Sequence, residues 1–156
     1  MTLVHNSDSA RRSSLIYPRK AFAAYGFDMF TTGAGLCFVG ALLTDYTYSR
    51  SPDIQWANFS AWLLLFAMVF SGLAGLFGLL GFITNRSREF SALRALYVLS
   101  LIGIFALGMI NNFVHSRDAW TSVVPLGLNL SIATVCAVMF AAILHAAIPN
   151  SINVRN

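Results

Sequence analysis

The sequence has few charged residues and few of the side chains that carry enzymatic chemistry. Only 10% of its 156 residues are charged, against roughly 25% in soluble domains. It has three histidines and two cysteines, and both cysteines, Cys37 and Cys136, lie inside apolar stretches. We interpret them as small packing residues rather than as a disulfide or a metal site. This composition argues against a water-soluble fold, and we expect no metal centre.

Four long apolar stretches take up most of the chain. They cover residues 21–43, 57–84, 93–113 and 122–148. Because a helix rises about 1.5 Å per residue, roughly 20 apolar residues cross a hydrocarbon layer of about 30 Å. Short links force consecutive helices to lie antiparallel. We predict an all-α integral membrane domain over residues 21–148, with four transmembrane helices in up-down-up-down order, between a polar basic tail (1–20) and a short tail (149–156).

The basic residues flank the apolar stretches and predict an orientation. Eight of the ten lie on one side of the predicted membrane: Arg11, Arg12, Arg19, Lys20, Arg86, Arg88, Arg94 and Arg155. The opposite side has Arg50 and Arg117, together with Trp56, Trp62 and Trp120, which favour the interface. The positive-inside rule therefore predicts cytoplasmic termini in a multi-pass protein of the bacterial inner membrane. These topology signals account for the net charge of +4, so we expect no nucleic acid partner.

Small residues recur through the second apolar stretch at spacings of three and four. The stripe comprises Ser71, Gly72, Ala74, Gly75 and Gly78. Small residues let helix backbones approach closely in lipid, where apolar side chains alone give no driving force for association. We favour packing within the bundle over a dimer face as the role of this stripe, and we expect the first and second helices to form the closest pair.

Two polar residues stand out inside or beside the predicted spans. Asp28 is the one carboxylate that we place at membrane depth, where a charge costs at least about 2.5 kcal/mol. It is either a proton carrier or a boundary residue, and we favour the second because the strongest apolar run begins only at Met29. Asn129, in the fourth stretch with Ser131 and Thr134, is expected to form hydrogen bonds across helices.

The densest polar group follows the third stretch. It comprises Asn111, Asn112, His115, Arg117 and Asp118. His115 offers a neutral nitrogen for haem iron or for a quinone carbonyl. A haem with two histidine ligands is not available within one chain, because His5 lies in the tail and His145 lies at the opposite face. We therefore favour a polar turn and predict no cofactor, with haem or quinone at His115 as the alternative.

Four segments of the chain carry a resemblance to known sequences: residues 60–64 (SAWLL), 72–80 (GLAGLFGLL), 117–120 (RDAW) and 125–131 (PLGLNLS). In their order and pattern they resemble a family of uncharacterised bacterial four-helix membrane domains, the domain of unknown function 2231 type. The resemblance covers about residues 17–147. It implies a four-helix membrane fold and work near electron transport, because relatives are sometimes joined to Rieske or cytochrome c type domains.

The chain also departs from that family at polar positions. The family's first helix usually opens with a His-Pro repeat and a further histidine, where residues 17–22 here read YPRKAF. An acid near the end of the second helix is replaced by Gly81, and a histidine and an asparagine in the third helix are replaced by Tyr97 and Ser100. A haem role carried by those histidines is therefore not implied for this chain.

Three functions remain open from the sequence. We favour a non-catalytic accessory or structural subunit of a larger electron-transport or photosynthetic membrane complex, with lipids and other membrane subunits or a second copy as its partners. The first alternative is a redox carrier that binds haem or quinone near His115. The second is a small proton-coupled transporter that uses Asp28.

Overall fold

Four long helices make up most of the described part of the chain. The computed structural model describes residues 3–84, 91–117 and 123–148, with side chains from residue 21 onward. The helices are α1 (Leu3–Arg50), α2 (Ile54–Thr84), α3 (Ala92–His115) and α4 (Leu128–Ala147). A short π-helical turn, Val123–Gly127, leads into α4. All regular secondary structure within these ranges is helical, which confirms the predicted fold class.

The helix boundaries follow from local sequence. Pro52 disfavours a helical conformation at Ser51, and α1 ends at Arg50. Asp53 then accepts a hydrogen bond from the backbone N–H of Gln55 (2.9 Å), which satisfies a free donor at the start of α2. Val124 is extended (φ −120°, ψ 130°), as expected before a proline, and it separates Val123 from the helical run that follows.

Four helices in the described ranges are long and apolar enough to cross a membrane. Their candidate spans are Ala21–Arg50, Ile54–Thr84, Ala92–His115 and Val123–Ala147. The first span is seven residues longer than the stretch predicted to end at Leu43, because the helix continues through polar residues as far as Arg50. The prediction that Asp28 is the one carboxylate within a span is therefore wrong, since Asp45 also lies in it. The helix itself begins well before the apolar run, because α1 starts at Leu3.

The helices form a ring in which each one packs against its neighbours in sequence. α1 packs most extensively against α2, as predicted, and the α3–α4, α1–α4 and α2–α3 contacts complete the bundle. The core contains Phe38, Leu64, Ala67 and Ile104. Large apolar side chains also cover the outside, and only a minority of the residues in each candidate span are buried. Such a surface is stable in lipid, because lipid tails are as apolar as leucine.

Glycines of α1 accommodate large side chains of α2 at intervals of seven residues. A Cβ on Gly33 would lie 3.1 Å from the ring of Phe70, and a Cβ on Gly40 would lie 3.2 Å from Leu63. Gly26 faces the ring of Phe77 in the same way, at a distance too short for any Cβ. Seven residues are close to two helical turns, so the three glycines lie on one face. This repeat explains why α1 and α2 form the closest pair.

Candidate functional site

Five buried polar side chains from all four helices meet near one end of the bundle. We call them the polar cluster: Asp45 from α1, Ser60 from α2, Asn111 and His115 from α3, and Ser131 from α4. Asp45, Ser60 and Asn111 are fully buried, while His115 and Ser131 are 7% and 2% exposed. A side chain that needs hydrogen bonds is costly in such surroundings, so these groups must satisfy one another.

The order of the helices brings these residues to the same level. Asp45 lies less than two turns before α1 ends, and Ser60 lies less than two turns after α2 begins. His115 is the last residue of α3, and Ser131 lies in the first turn of α4. Antiparallel packing places these four positions at one end of the bundle. We call this the first-link end, after the link of residues 51–53 between α1 and α2.

The carboxylate of Asp45 is the centre of the cluster. Its Oδ1 accepts a hydrogen bond from the hydroxyl of Ser60, and its Oδ2 accepts one from the hydroxyl of Ser131, both at 2.5 Å. His115 Nε2 lies 2.9 Å from Asp45 Oδ1. The Asn111 amide Nδ2 donates to Ser131 Oγ (2.8 Å), while Asn111 Oδ1 is buried without a hydrogen-bond partner among the described residues. Three helices thus contact the carboxylate of the fourth.

The surroundings of His115 determine how many protons the pair holds. Its Nδ1 lies 3.0 Å from the backbone carbonyl oxygen of Asn111, which can only accept, so Nδ1 carries a hydrogen. Its Nε2 faces Asp45 Oδ1, which also only accepts when ionised. One further proton must therefore lie between Nε2 and Oδ1. The pair is then neutral overall, either as imidazolium and carboxylate or as imidazole and carboxylic acid.

The serine, histidine and aspartate of the cluster do not have the geometry of a hydrolytic triad. In a triad the acid and the nucleophile bind different ring nitrogens, so that the histidine can take the hydroxyl proton. Here Nε2 faces both Asp45 (2.9 Å) and Ser60 (3.2 Å), and Nδ1 is hydrogen-bonded to the backbone carbonyl oxygen of Asn111. The Ser60 hydroxyl donates to the carboxylate and is fully buried. The arrangement therefore holds a proton but does not present an activated nucleophile.

The structure separates the residues that the sequence grouped around His115. His115 and Asn111 belong to the polar cluster. Asn112 is half-buried and lines a shallow groove between α2 and α3 with Asn58, Ala61, Trp62 and Leu65. Arg117 is exposed beyond the end of α3, and Asp118 lies outside the described residues. The structure therefore brings Asn111 and His115 together and leaves Asn112 and Arg117 apart from them, because successive helical residues point in different directions.

The other polar residues singled out from the sequence lie on the outside of the bundle. Asp28 and Asn129 are both exposed. Asp28 is 17 residues before Asp45 on α1, which is about 25 Å along a helix. Thr134 is buried, but its hydroxyl donates to the Leu130 carbonyl of its own helix (2.7 Å). Among the three polar residues predicted to connect α4 to its neighbours, Ser131 has that role.

The small-residue stripe of α2 divides between two faces. Ala74 is buried, Ser71 is half-buried, and a Cβ on Gly78 would lie 3.3 Å from Phe27 of α1. Gly72 and Gly75 are exposed, and a Cβ at either position would meet nothing within 4 Å. The prediction that the whole stripe packs within the bundle is therefore wrong for these two glycines. Each residue turns the helix by 100°, so they point away from the face that carries Ala74 and Gly78.

Sequence reasoning missed Asp45 and Ser60 as site residues. Asp45 was assigned to the link after the first apolar run, although no glycine or proline interrupts the chain between Leu43 and Ser51. Ala41, Asp45 and Tyr48 are spaced by four and three, and all three are buried. This helical spacing was the available signal. Ser60 is one of several polar residues in α2, and its spacing carried no comparable signal.

The fold and the outer surface define a multi-pass helical membrane protein. The chain belongs to the family described as predicted membrane protein (DUF2231), which matches residues 34–155. The matched region contains the whole polar cluster, and Asp28 lies outside it. No curated protein and no solved structure matches the chain.

Proposed function

We propose that this protein is a non-catalytic accessory or structural subunit that packs through the outer face of α2 against another membrane protein subunit. The observation that carries the proposal is the outward direction of Gly72 and Gly75, which have no neighbour within 4 Å of an added Cβ. The electron-transport or photosynthetic membrane of a bacterium is the setting that we propose for this assembly.

The physical argument concerns the cost of glycine in a helix. A glycine in a helix interior is about 1 kcal/mol less favourable than an alanine. A surface that meets only lipid gains nothing in return, because lipid contacts do not require a short side chain. A second helix at this face would gain close backbone contact at both glycines, which lie one turn apart. The face continues with an outward seam at spacings of three and four: Trp62, Leu65, Val69, Gly72, Leu76 and Leu79.

Co-purification of the full-length protein in mild detergent tests this proposal. We expect the native protein to be recovered within a larger assembly, and the Gly72→Leu/Gly75→Leu variant to be recovered without it. Gly103→Leu is the matched control, because Gly103 on α3 is also exposed with nothing within 4 Å but has no second exposed glycine one turn away to extend the close approach of a partner helix. It should retain the assembly. A native protein that purifies alone, or a double variant that keeps its partners, would contradict the proposal.

The two alternative functions make separate predictions. Haem ligation at His115 requires this residue to leave the polar cluster, because both ring nitrogens face acceptors there. A Soret absorbance band that is lost in His115→Ala would support it. Transport through the bundle requires a polar path between Asp28 and Asp45, where Phe38 and Ile104 form an apolar core. Unchanged transport in a folded Asp28→Asn variant would count against this function.

A further inference from the structure

We propose that the polar cluster is a proton-operated latch. While Asp45 and His115 share one proton, the cluster joins all four helices at the first-link end. Loss of that proton releases the end of α3 from α1. This inference concerns the closure of the bundle and is independent of the partner proposed for α2.

The latch closes only when one proton lies between the two groups. With that proton, a hydrogen bond spans the 2.9 Å between His115 Nε2 and Asp45 Oδ1. Without it, a nitrogen lone pair faces a carboxylate oxygen across the same distance, and the buried pair carries a net negative charge. An uncompensated buried charge is strongly unfavourable. Separation of the two side chains, with entry of water, relieves both effects.

The remaining described groups around the pair do not supply a compensating charge. Ser60 faces it from α2, Asn111 from α3 and Ser131 from α4, and all three are neutral. Tyr48 lies one turn further along α1. The charged residues closest in sequence are exposed: Arg50 is the last residue of α1, and Asp53 and Arg117 lie beyond the ends of the helices. Within the described part of the chain, the charge state of the cluster therefore depends on the shared proton.

The position of His115 determines which part of the bundle moves. It is the last residue of α3, and the exposed residues Ser116 and Arg117 follow it. Asn111, one turn earlier, keeps its own bond to Ser131 and fastens the rest of α3 to α4. Val123, at the other end of this connection, is fully buried against Tyr48 and Ala57. Release of His115 should therefore expose Val123.

Asp45→Asn provides a latch that no longer depends on a proton. The side-chain amide of asparagine can donate from the position of Oδ1 to Nε2 of a neutral imidazole and to the Ser60 oxygen. The Ser60 hydroxyl, which no longer has an acceptor there, can then donate to the Ala41 carbonyl oxygen 3.5 Å away. Its carbonyl oxygen can still accept from Ser131 at the position of Oδ2. The variant has the same size as the native side chain and holds the contact without a titrating carboxyl group. It should stay closed when the native pair opens.

Thiol labelling at position 123 measures the opening. The full chain would carry Val123→Cys as its single cysteine, with Cys37→Ser and Cys136→Ser. Two such proteins are compared, one with the native Asp45 and one with Asp45→Asn. The maleimide reaction rate of each is measured in detergent from neutral to alkaline pH. Thiol reactivity itself rises with pH. The readout is therefore the rate for the protein with Asp45 divided by the rate for the Asp45→Asn variant at the same pH. We expect this ratio to increase about tenfold or more, as for the loss of one hydrogen bond to a charged group. A constant ratio would overturn the latch.

Nitrogen NMR of His115 provides a second measurement that does not need the Asp45→Asn variant to fold. His5→Asn and His145→Asn leave a single imidazole in the chain. We expect the Nε2 signal to change over the pH range in which Val123→Cys becomes reactive. Nε2 loses its proton if the shared proton lies on His115, or loses a hydrogen bond if that proton lies on Asp45. Nδ1 remains protonated in both cases. A His115 signal that stays unchanged while the cysteine becomes reactive would also overturn the proposal.

Discussion

Asp45 shows how a buried carboxylate is stabilised by partners from other helices. Its removal from water costs several kcal/mol, and hydrogen bonds from Ser60 and Ser131 together with the contact to His115 offset that cost. The partners are not equivalent. His115 supplies or shares a proton, whereas each serine supplies a neutral hydroxyl. Loss of one hydroxyl therefore leaves the charge balance of the pair intact and removes only hydrogen bonds.

Ser131→Ala should lower the free energy of unfolding by about 1–3 kcal/mol. The substitution removes a donor from Asp45 Oδ2 and an acceptor from Asn111 Nδ2, and leaves both atoms buried. Thermal or denaturant unfolding in detergent micelles measures the change. Ser49→Ala is the matched control, because the Ser49 hydroxyl bonds to the Tyr46 carbonyl of its own helix at an exposed position. We expect Ser49→Ala to change the free energy of unfolding by no more than about 0.5 kcal/mol. Equal effects of the two substitutions would show that the cluster contributes no special stability.

At the scale of the helices, close packing depends on where the glycines lie. Gly108 of α3 faces the ring of Phe38, and a Cβ would lie 2.7 Å from Phe38 Cζ and 3.0 Å from Met68 Sδ. Gly103, five residues earlier on the same helix, faces no neighbour within 4 Å. The two positions are chemically identical in the sequence. Only the direction in which each one points distinguishes a packing glycine from an exposed one.

Gly108→Ala should destabilise the bundle by about 1–3 kcal/mol, because the new methyl group must displace Phe38 or separate α3 from α1. Gly103→Ala should leave stability unchanged or raise it by up to about 1 kcal/mol through helix propensity. Both are measured by unfolding in detergent. Phe38→Leu combined with Gly108→Ala makes room for the methyl group and should recover part of the loss. Similar behaviour of the two glycines would contradict the observed packing.

For the whole molecule, the helices alternate in direction, so the first and third links lie at one end. The positive-inside bias predicts that this end faces away from the cytoplasm. The polar cluster, less than two turns from that end of α1, would then exchange its proton with the exterior. An orientation with both termini cytoplasmic is thus a prediction with consequences for the latch.

Single cysteines at Gln55 and Ser116 test the orientation, because both residues are exposed near the first-link end. The protein carries no other cysteine, because Cys37 and Cys136 are replaced by serine. In intact cells, a membrane-impermeant thiol reagent should label both positions. A cysteine replacing Asn156 at the C-terminus should react only after the membrane is permeabilised. Labelling of the C-terminal position in intact cells, with protection of the other two, would reverse the topology.

Much of the architecture was predictable because its causes are local. Four apolar runs of sufficient length predict four helices, and short links predict their antiparallel order. The polar cluster was not predictable in the same way. The chemistry of His115 marks it as a candidate in the sequence, but Asp45 lies beyond the predicted first stretch of residues 21–43 and is not marked in the same way. The direction in which Gly72 and Gly75 point, into the bundle or away from it, also depends on how α2 is rotated about its own axis relative to α1.

The sequence by itself determined the class of protein, the number of spans and their order, because the free energy of placing a helix in lipid is a sum over consecutive residues. Only the tertiary structure decided which polar groups meet. Asp45 binds residues that are 15, 70 and 86 positions away in the chain. Such contacts depend on the depth and rotation of four helices relative to one another, which packing of side chains such as Phe38 and Phe70 against glycines determines.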